Sequence, residues 1–376
     1  MNKLLSIPIL NLELAAKDAG LEIISIAAQL SKSEKTIREI CRGLMTIPQL
    51  NNFAKKVNKP FGFFLLDNPM PKYQPKIPDL RTRNKIPLSK NFFEIFKDIS
   101  YKQEWYKDYL SSIATAELSF VGSFNQDSDI TDIAKNMRKV IKWEQNLLSI
   151  KNFDEHFKLL CEKIEDVGIL VMRNSIVIDK TNSRLDPEEF LGFCIVDKLA
   201  PVIFINSADK TSAKIFTLVH ELAHIWLGVT AVSDNSYNND IEKKCNGIAA
   251  EFLVPKTNFE KKWESNNLID LDYQIESLSQ IFQVSKMVIA RVALTHNKIS
   301  GELYKKIYIK QMEEIKHKQK QKKAKSGGPS AYVMNPVRNS KVITATVSKL
   351  LKRGDIDFKE ASLLLNTKMN KVMNYV

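Results

Sequence analysis

The sequence predicts an α+β chain, mainly α, in three parts: an N-terminal all-α helix-turn-helix domain, a middle domain in which a small β-sheet leads into a buried helix, and a helical C-terminal tail. Three patterns carry the prediction. Apolar residues recur at helical spacing between Leu21 and Leu44, and short β-rich runs crowd between Gly168 and Ile205. The long apolar stretch from Ile215 to Leu227 holds only three ionisable residues, His220, Glu221 and His224. A chain of 376 residues has room for two or three domains and an ample core.

In the first part, Ile23, Ile24, Ile26, Ala27 and Leu30 make one apolar helix. Ser31-Lys32-Ser33 interrupts it, and Ile37, Ile40, Cys41 and Leu44 then recur at i, i+3, i+4, i+7. Ser33 reads as the N-cap of the second helix and Gly43 as its stop. The spacing gives helix, tight turn, helix, with Lys35, Thr36, Arg38 and Glu39 opposite the core face. Helices from Pro48 to Val57 and around Phe61 to Leu66 complete this domain, residues 1–70. Four prolines from Asn68 to Pro78 mark a linker.

The middle domain, residues 76–310, opens on helices. Phe92, Ile95, Phe96, Ile99, Trp105, Tyr106, Tyr109 and Leu110 fall at helical spacing, as do Ile133, Met137, Val140 and Ile141. Such aromatic stripes are core rather than binding surface. After a helix from Phe153 to Asp166 come strand-like runs at Gly168–Met172, Ser175–Ile178, Phe190–Val196 and Val202–Ile205, a small sheet ahead of the apolar helix. Val202 to Asn206 is expected to offer a sheet edge to an extended peptide. Leu278 to Thr295 reads as helix, turn at Val284-Ser285, helix. A lysine-rich linker follows at residues 311–335, and residues 336–376 read as a small helical hairpin around Gly354.

The chemistry lies in His220-Glu221-Leu222-Ala223-His224. Histidines four apart on a helix share a face, so both imidazoles can bind one metal ion, and the intervening carboxylate is placed as a general base. The spacing is zincin-like. The apolar neighbours bury this helix, and buried imidazoles and carboxylates are costly without partners, which favours a metal over ordinary hydrogen bonds in a core helix. A catalytic zinc takes a third ligand from elsewhere. Glu242 and Glu251 are the candidates, with Asp234 and Asp240 behind them. Glu242 is preferred because Asn246, one turn on, shares its face and can accept the second N–H of a ligand histidine, whereas Glu251 points roughly 180° away. His296 is a candidate oxyanion donor, but a solvated helix-end histidine is the better reading; His156 and His317 have no ligand partner at useful spacing.

Composition narrows the setting. The net charge of +13 favours contact with a polyanion, though Lys316, Lys318, Lys320, Lys322, Lys323 and Lys325 crowd one segment that reads first as a solvated tether. Cys41, Cys161, Cys194 and Cys245 form no CxxC pair and read as reduced thiols. No stretch approaches the roughly 20 apolar residues of a membrane span, and the N-terminus lacks a cleavage site. A soluble cytoplasmic protein is expected, with no membrane partner; the oligomeric state is left open.

At these residues the chain resembles the ImmA/IrrE family of zinc metallo-endopeptidases. The resemblance runs through Leu191-Gly192-Phe193, Pro201 to Asn206, Phe216 to Gly228, Cys245-Asn246 and Ala249 to Pro255, and more loosely Lys76 to Thr82. In that family the third ligand is the Glu three residues before the Asn-preceding Cys or Ala, which carries over to Glu242. Residues 11–66 resemble the Xre-type helix-turn-helix that precedes the protease in many members, departing from it at Ser31, commonly glycine, and at Ile40-Cys41, where Trp-Glu is frequent. The resemblance implies a zinc endopeptidase, with Glu221 as general base, that cleaves a helix-turn-helix repressor in a mobile-element, stress-response or toxin–antitoxin setting. DNA is a second partner through Lys32, Lys35, Thr36 and Arg38, unless the front domain packs on a protein instead. The rival reading is a DNA-binding regulator or antitoxin whose metallopeptidase-like domain senses a partner with little turnover.

Overall fold

A computed structural model of the protein describes residues 4–57, 59, 61–66, 88–143, 152–233, 240–265, 270–321 and 331–375. It divides into two compact units, Met1–Tyr101 with Lys180–Arg184, and Lys102–Asp179 with Leu185–Val376.

In the first unit the helical spacing of the apolar residues becomes α1 (Ile9–Asp18), α2 (Ile23–Leu30), α3 (Glu34–Cys41) and α4 (Ile47–Lys56), followed by a 3-10 turn at Phe61–Leu65. They enclose Leu12, Ile26, Ala27, Ile40, Leu50, Phe53 and Phe64. The expected all-α domain gains a short antiparallel ribbon of β1 (Leu4–Ser6) and β2 (Leu44–Thr46), with Leu5 opposite Met45. Gly43 makes it possible. Its φ is +82°, and a Cβ there would lie 2.2 Å from the Ile7 carbonyl oxygen, so only glycine lets α3 turn back as a strand. Ser33 sits at the start of α3 as expected, yet its side chain caps nothing. The turn is closed instead by Ser31 Oγ, which accepts from the Ser33 amide at 3.1 Å. Ser31 itself is extended, at φ −150°, so serine in place of glycine costs nothing there. A capping box between Thr46 and Gln49 starts α4. The expected linker at 68–78 and Lys76 to Thr82 lie outside the described residues.

The aromatic stripe forms α5 (Lys90–Ser112), within which the division between the units falls, and α6 (Ile130–Val140) and α7 (Phe153–Glu165) follow. Next come β3 (Leu170–Asn174), β4 (Ile176–Val177), β5 (Lys180–Arg184), β6 (Gly192–Ile195), β7 (Val202–Asn206), α8 (Thr211–Leu227) and β8 (Ala231–Ser233). The main sheet has the order β3-β7-β6-β8, with β3 parallel to β7 and the other pairs antiparallel. This corrects one expectation. Val202 to Asn206 is an interior strand, hydrogen-bonded on both sides and buried along its length, and cannot accept a peptide; the edges among the described strands are β3 and β8.

Helices α9 (Asp240–Leu253), α10 (Lys256–Ser265), α11 (Leu271–Phe282), α12 (Lys286–Thr295) and α13 (Gly301–Gln321) build the rest of the core with α6 to α8. Beyond them α14 (Ala331–Arg338), α15 (Lys341–Arg353), α16 (Phe358–Leu364) and α17 (Met369–Val372) make more than the expected hairpin. Gly354, at φ +76°, does turn α15 into α16. The fully buried Lys102 donates to Asn339 Oδ1 at 2.6 Å, and Asn335 and Asn339 both donate to the Leu365 carbonyl. Trp105 Nε1 reaches Glu360 at 2.7 Å, and Lys341 reaches Glu162. A buried ammonium held by a side-chain amide is expensive to unmake, so these helices are part of the second unit rather than a tethered appendage. All four cysteines are free. No described helix is long and apolar enough to cross a membrane.

Candidate metal centre

Helix α8 ends where Gly228 adopts φ +71°, and the chain before α6 crosses there so closely that a Cβ on Gly228 would lie 3.0 Å from Gly122 Cα. The Gly122 and Phe124 amides donate to the carbonyls of Ile225 and Trp226, which satisfies the end of the helix, and the Trp226 indole donates to Asn136 at 2.8 Å. Clamped in this way, α8 has all twelve residues from Ile215 to Leu227 other than Phe216 buried, including His220, Glu221 and His224.

Helix α9 packs beside it and presents Glu242 and Asn246, one turn apart, to the histidines. His220 Nε2 and His224 Nε2 are 3.1 Å apart, and Glu242 places Oε2 at 3.0 Å from the first and Oε1 at 3.2 Å from the second. His220 Nδ1 faces Asn246 Oδ1 at 3.1 Å. An amide oxygen can only accept, so Nδ1 carries the proton and the Nε2 lone pair is left facing His224 and Glu242. His224 Nδ1 is buried with no hydrogen-bond partner among the described residues.

This donor set fits a metal ion. Two imidazole nitrogens facing each other repel unless a cation or proton lies between them. A tetrahedral zinc at about 2.0–2.1 Å from each ligand would hold its donors about 3.3 Å apart, near the separations seen. His220, His224 and Glu242 are the one group of metal-ligating side chains among the described residues. Electrostatics point the same way. Burial alone would push the Glu242 carboxyl up, but the two histidine rings against it hold it down at about 2, the response of a carboxylate to positive charge at this point. Burial lowers His224; on His220 the neighbouring Glu242 and Glu221 carboxylates outweigh burial and raise it.

The remaining candidates go elsewhere. Glu251 accepts from the Lys256 amide at 3.2 Å and so caps α10, on the far side of α9. Asp240 pairs with Lys243 in solvent, and Asp234 lies outside the described residues. His296 packs on the Phe259 ring, His156 is stacked on Trp143 and bonded to the Gln283 carbonyl, and the His317 side chain is outside the described residues. Lys32, Lys35 and Arg38 are exposed and Thr36 is half-buried, with Arg38 paired to Glu34 at 3.3 Å.

Gly192 belongs to the site, a role the sequence reading did not assign. A Cβ there would sit 2.8 Å from the Phe204 carbonyl oxygen and 3.4 Å from Glu221 Oε1, so β6 passes directly beside the buried carboxylate. A glycine inside a strand-like run is the signal that marks such a close approach.

Residues 164–293 match the family model described as Peptidase M78: IrrE N-terminal-like domain. The match takes in the four-stranded sheet, α8, α9 and the whole metal group, and it agrees with the ImmA/IrrE resemblance carried by the motif. No curated protein and no solved structure matches the chain.

Proposed function

From a peptidase-type domain of the IrrE kind at residues 164–293, we propose that the chain is a zinc endopeptidase acting on a helix-turn-helix transcriptional repressor. One observation carries the peptidase reading: two imidazole nitrogens and a carboxylate meet within 3.0–3.2 Å, beside the fully buried Glu221. His220, His224 and Glu242 hold the metal. Bound zinc supplies Lewis acidity to the scissile carbonyl and brings the pKa of a water into the neutral range. Asn246 fixes the His220 tautomer through Nδ1. Glu221 accepts the proton of the attacking water on its carboxylate and delivers it to the leaving amine nitrogen. Burial of Glu221 on β6 keeps bulk water from competing for that proton.

The substrate strand has one open place near this carboxylate. Gly192, beside Glu221, is registered opposite Ser233, and β8 is paired on one side only among the described strands. An extended segment of the target adds to β8 by backbone hydrogen bonds. The repressor as target rests on the ImmA/IrrE resemblance alone; a DNA-binding regulator or antitoxin with little turnover would use the front domain, whose α2 and α3 have helix-turn-helix order with Lys32, Lys35 and Arg38 exposed. Co-expression with candidate repressors distinguishes these readings. Site-specific cleavage by the wild-type chain and none by Glu221→Gln supports the protease; an intact repressor with both supports the regulator.

A further inference from the structure

Arg173 on β3 and Lys214 on α8 hold their charges over one aromatic ring. The guanidinium carbon lies 4.9 Å and the ammonium 5.3 Å from the centroid of Phe157 on α7, so the two cations are within about 10 Å of each other. Both side chains are only half-exposed. Neither forms an ion pair or a hydrogen bond with any described residue. The acids that Lys214 senses are Asp154 and Asp209. Asp154 is engaged by the Thr211 hydroxyl at 2.8 Å, and neither acid reaches Lys214 or Arg173. The first turn of α8 adds a positive helix end with no acidic residue and no side-chain cap.

Two half-buried like charges against one ring repel each other, and burial together with the Arg173 charge lowers Lys214 from its ordinary value. An anion between them removes the repulsion. The guanidinium fork matches two oxygens of a tetrahedral oxyanion, the ammonium takes a third, and the phenyl ring walls the site. We infer that Arg173, Lys214 and the Phe157 ring form a binding site for a phosphate-type dianion at the start of the helix that carries His220 and His224. A small anion is favoured over a nucleic-acid backbone because both side chains are half-buried and do not stand on an exposed face. The site is independent of the peptidase reading.

Calorimetric titration of the metal-loaded full chain with inorganic phosphate, and separately with a nucleoside monophosphate, tests it. Saturable binding of at least one is expected, weakened about ten-fold or more by Arg173→Gln and by Lys214→Gln and largely kept by Lys214→Arg. The tighter ligand tells free phosphate from a phosphomonoester. If Arg173→Gln does not fold, as read by circular dichroism, the Lys214→Gln and Lys214→Arg pair carries the test. Absence of binding to both probes, binding unchanged in the glutamine variants, which places the anion on the metal, or binding of a DNA duplex but of neither small phosphate overturns the site.

Discussion

Helices α3 and α8 both carry the polar residues proposed for function, but in opposite environments. On α3 the candidate contacts Lys35 and Arg38 stand in solvent, and the Arg38–Glu34 pair has both side chains more than 70% exposed, at 75% and 83%. On α8, Glu221 and His224 are fully buried, and His220 nearly so. Solvated charges cost little wherever they sit, so their presence says little about use. Buried ones would destabilise the fold unless something binds them, so the geometry around α8 constrains function far more tightly than that around α3.

The largest effect should come from removing a metal ligand. Glu242→Ala is expected to weaken metal affinity on the order of a thousand-fold and to abolish cleavage, because two histidines alone leave the coordination shell short of a charged ligand. Glu251→Ala, nine residues further along the same helix, should keep the metal and cost only about 1 kcal/mol through loss of the α10 cap. Elemental analysis beside thermal unfolding separates the two; metal lost from Glu251→Ala and kept by Glu242→Ala would reverse the assignment.

Next comes Glu221→Gln. The amide preserves shape beside Gly192 but cannot accept a proton, so turnover should fall about 10²–10⁴-fold with metal content unchanged. A rate close to wild type in single-turnover assays would remove Glu221 from the chemistry. Asn246→Ala should act more weakly, lowering metal affinity about 10–100-fold by releasing the His220 tautomer. Competition with a chelator of known affinity measures it, and an unchanged constant means His220 is oriented by packing alone.

The smallest effects belong to α3. Lys35→Ala and Arg38→Ala should each change stability by less than about 0.5 kcal/mol, since both side chains are solvated. If the front domain reads DNA, each should also lower the slope of log affinity against log salt by about 1. Wild-type and doubly substituted chains with the same salt dependence would leave α3 as a protein-contact or packing element.

The contrast between the helices also separates what was legible from what was not. The His220/His224 pair could be read because an i, i+4 relation is local: helix geometry alone puts both rings on one face. Glu242 was legible for a related reason, since the phase of α9 sets Glu242 and Asn246 together and turns Glu251 away, although only packing shows α9 against α8. Ser31 and Ser33 were half-legible. The turn between α2 and α3 is where the apolar pattern breaks, but which serine closes it depends on backbone angles that the pattern does not encode.

By itself, then, the sequence determined the mainly α architecture, the helix-turn-helix order, the small sheet and the shared face of His220 and His224, because each follows from periodicity or from contacts within a few residues. Strand order was decided only in the tertiary structure: β7 lies inside the sheet because β3, from 32 residues earlier in the register, pairs along its free side. The same holds for the docking of α14 to α16 through Lys102 and Asn339, for Gly192 beside Glu221, and for Arg173 and Lys214 over Phe157. In each case residues from separate elements meet through packing of hydrophobic faces, which fixes distances between segments that no local pattern can relate.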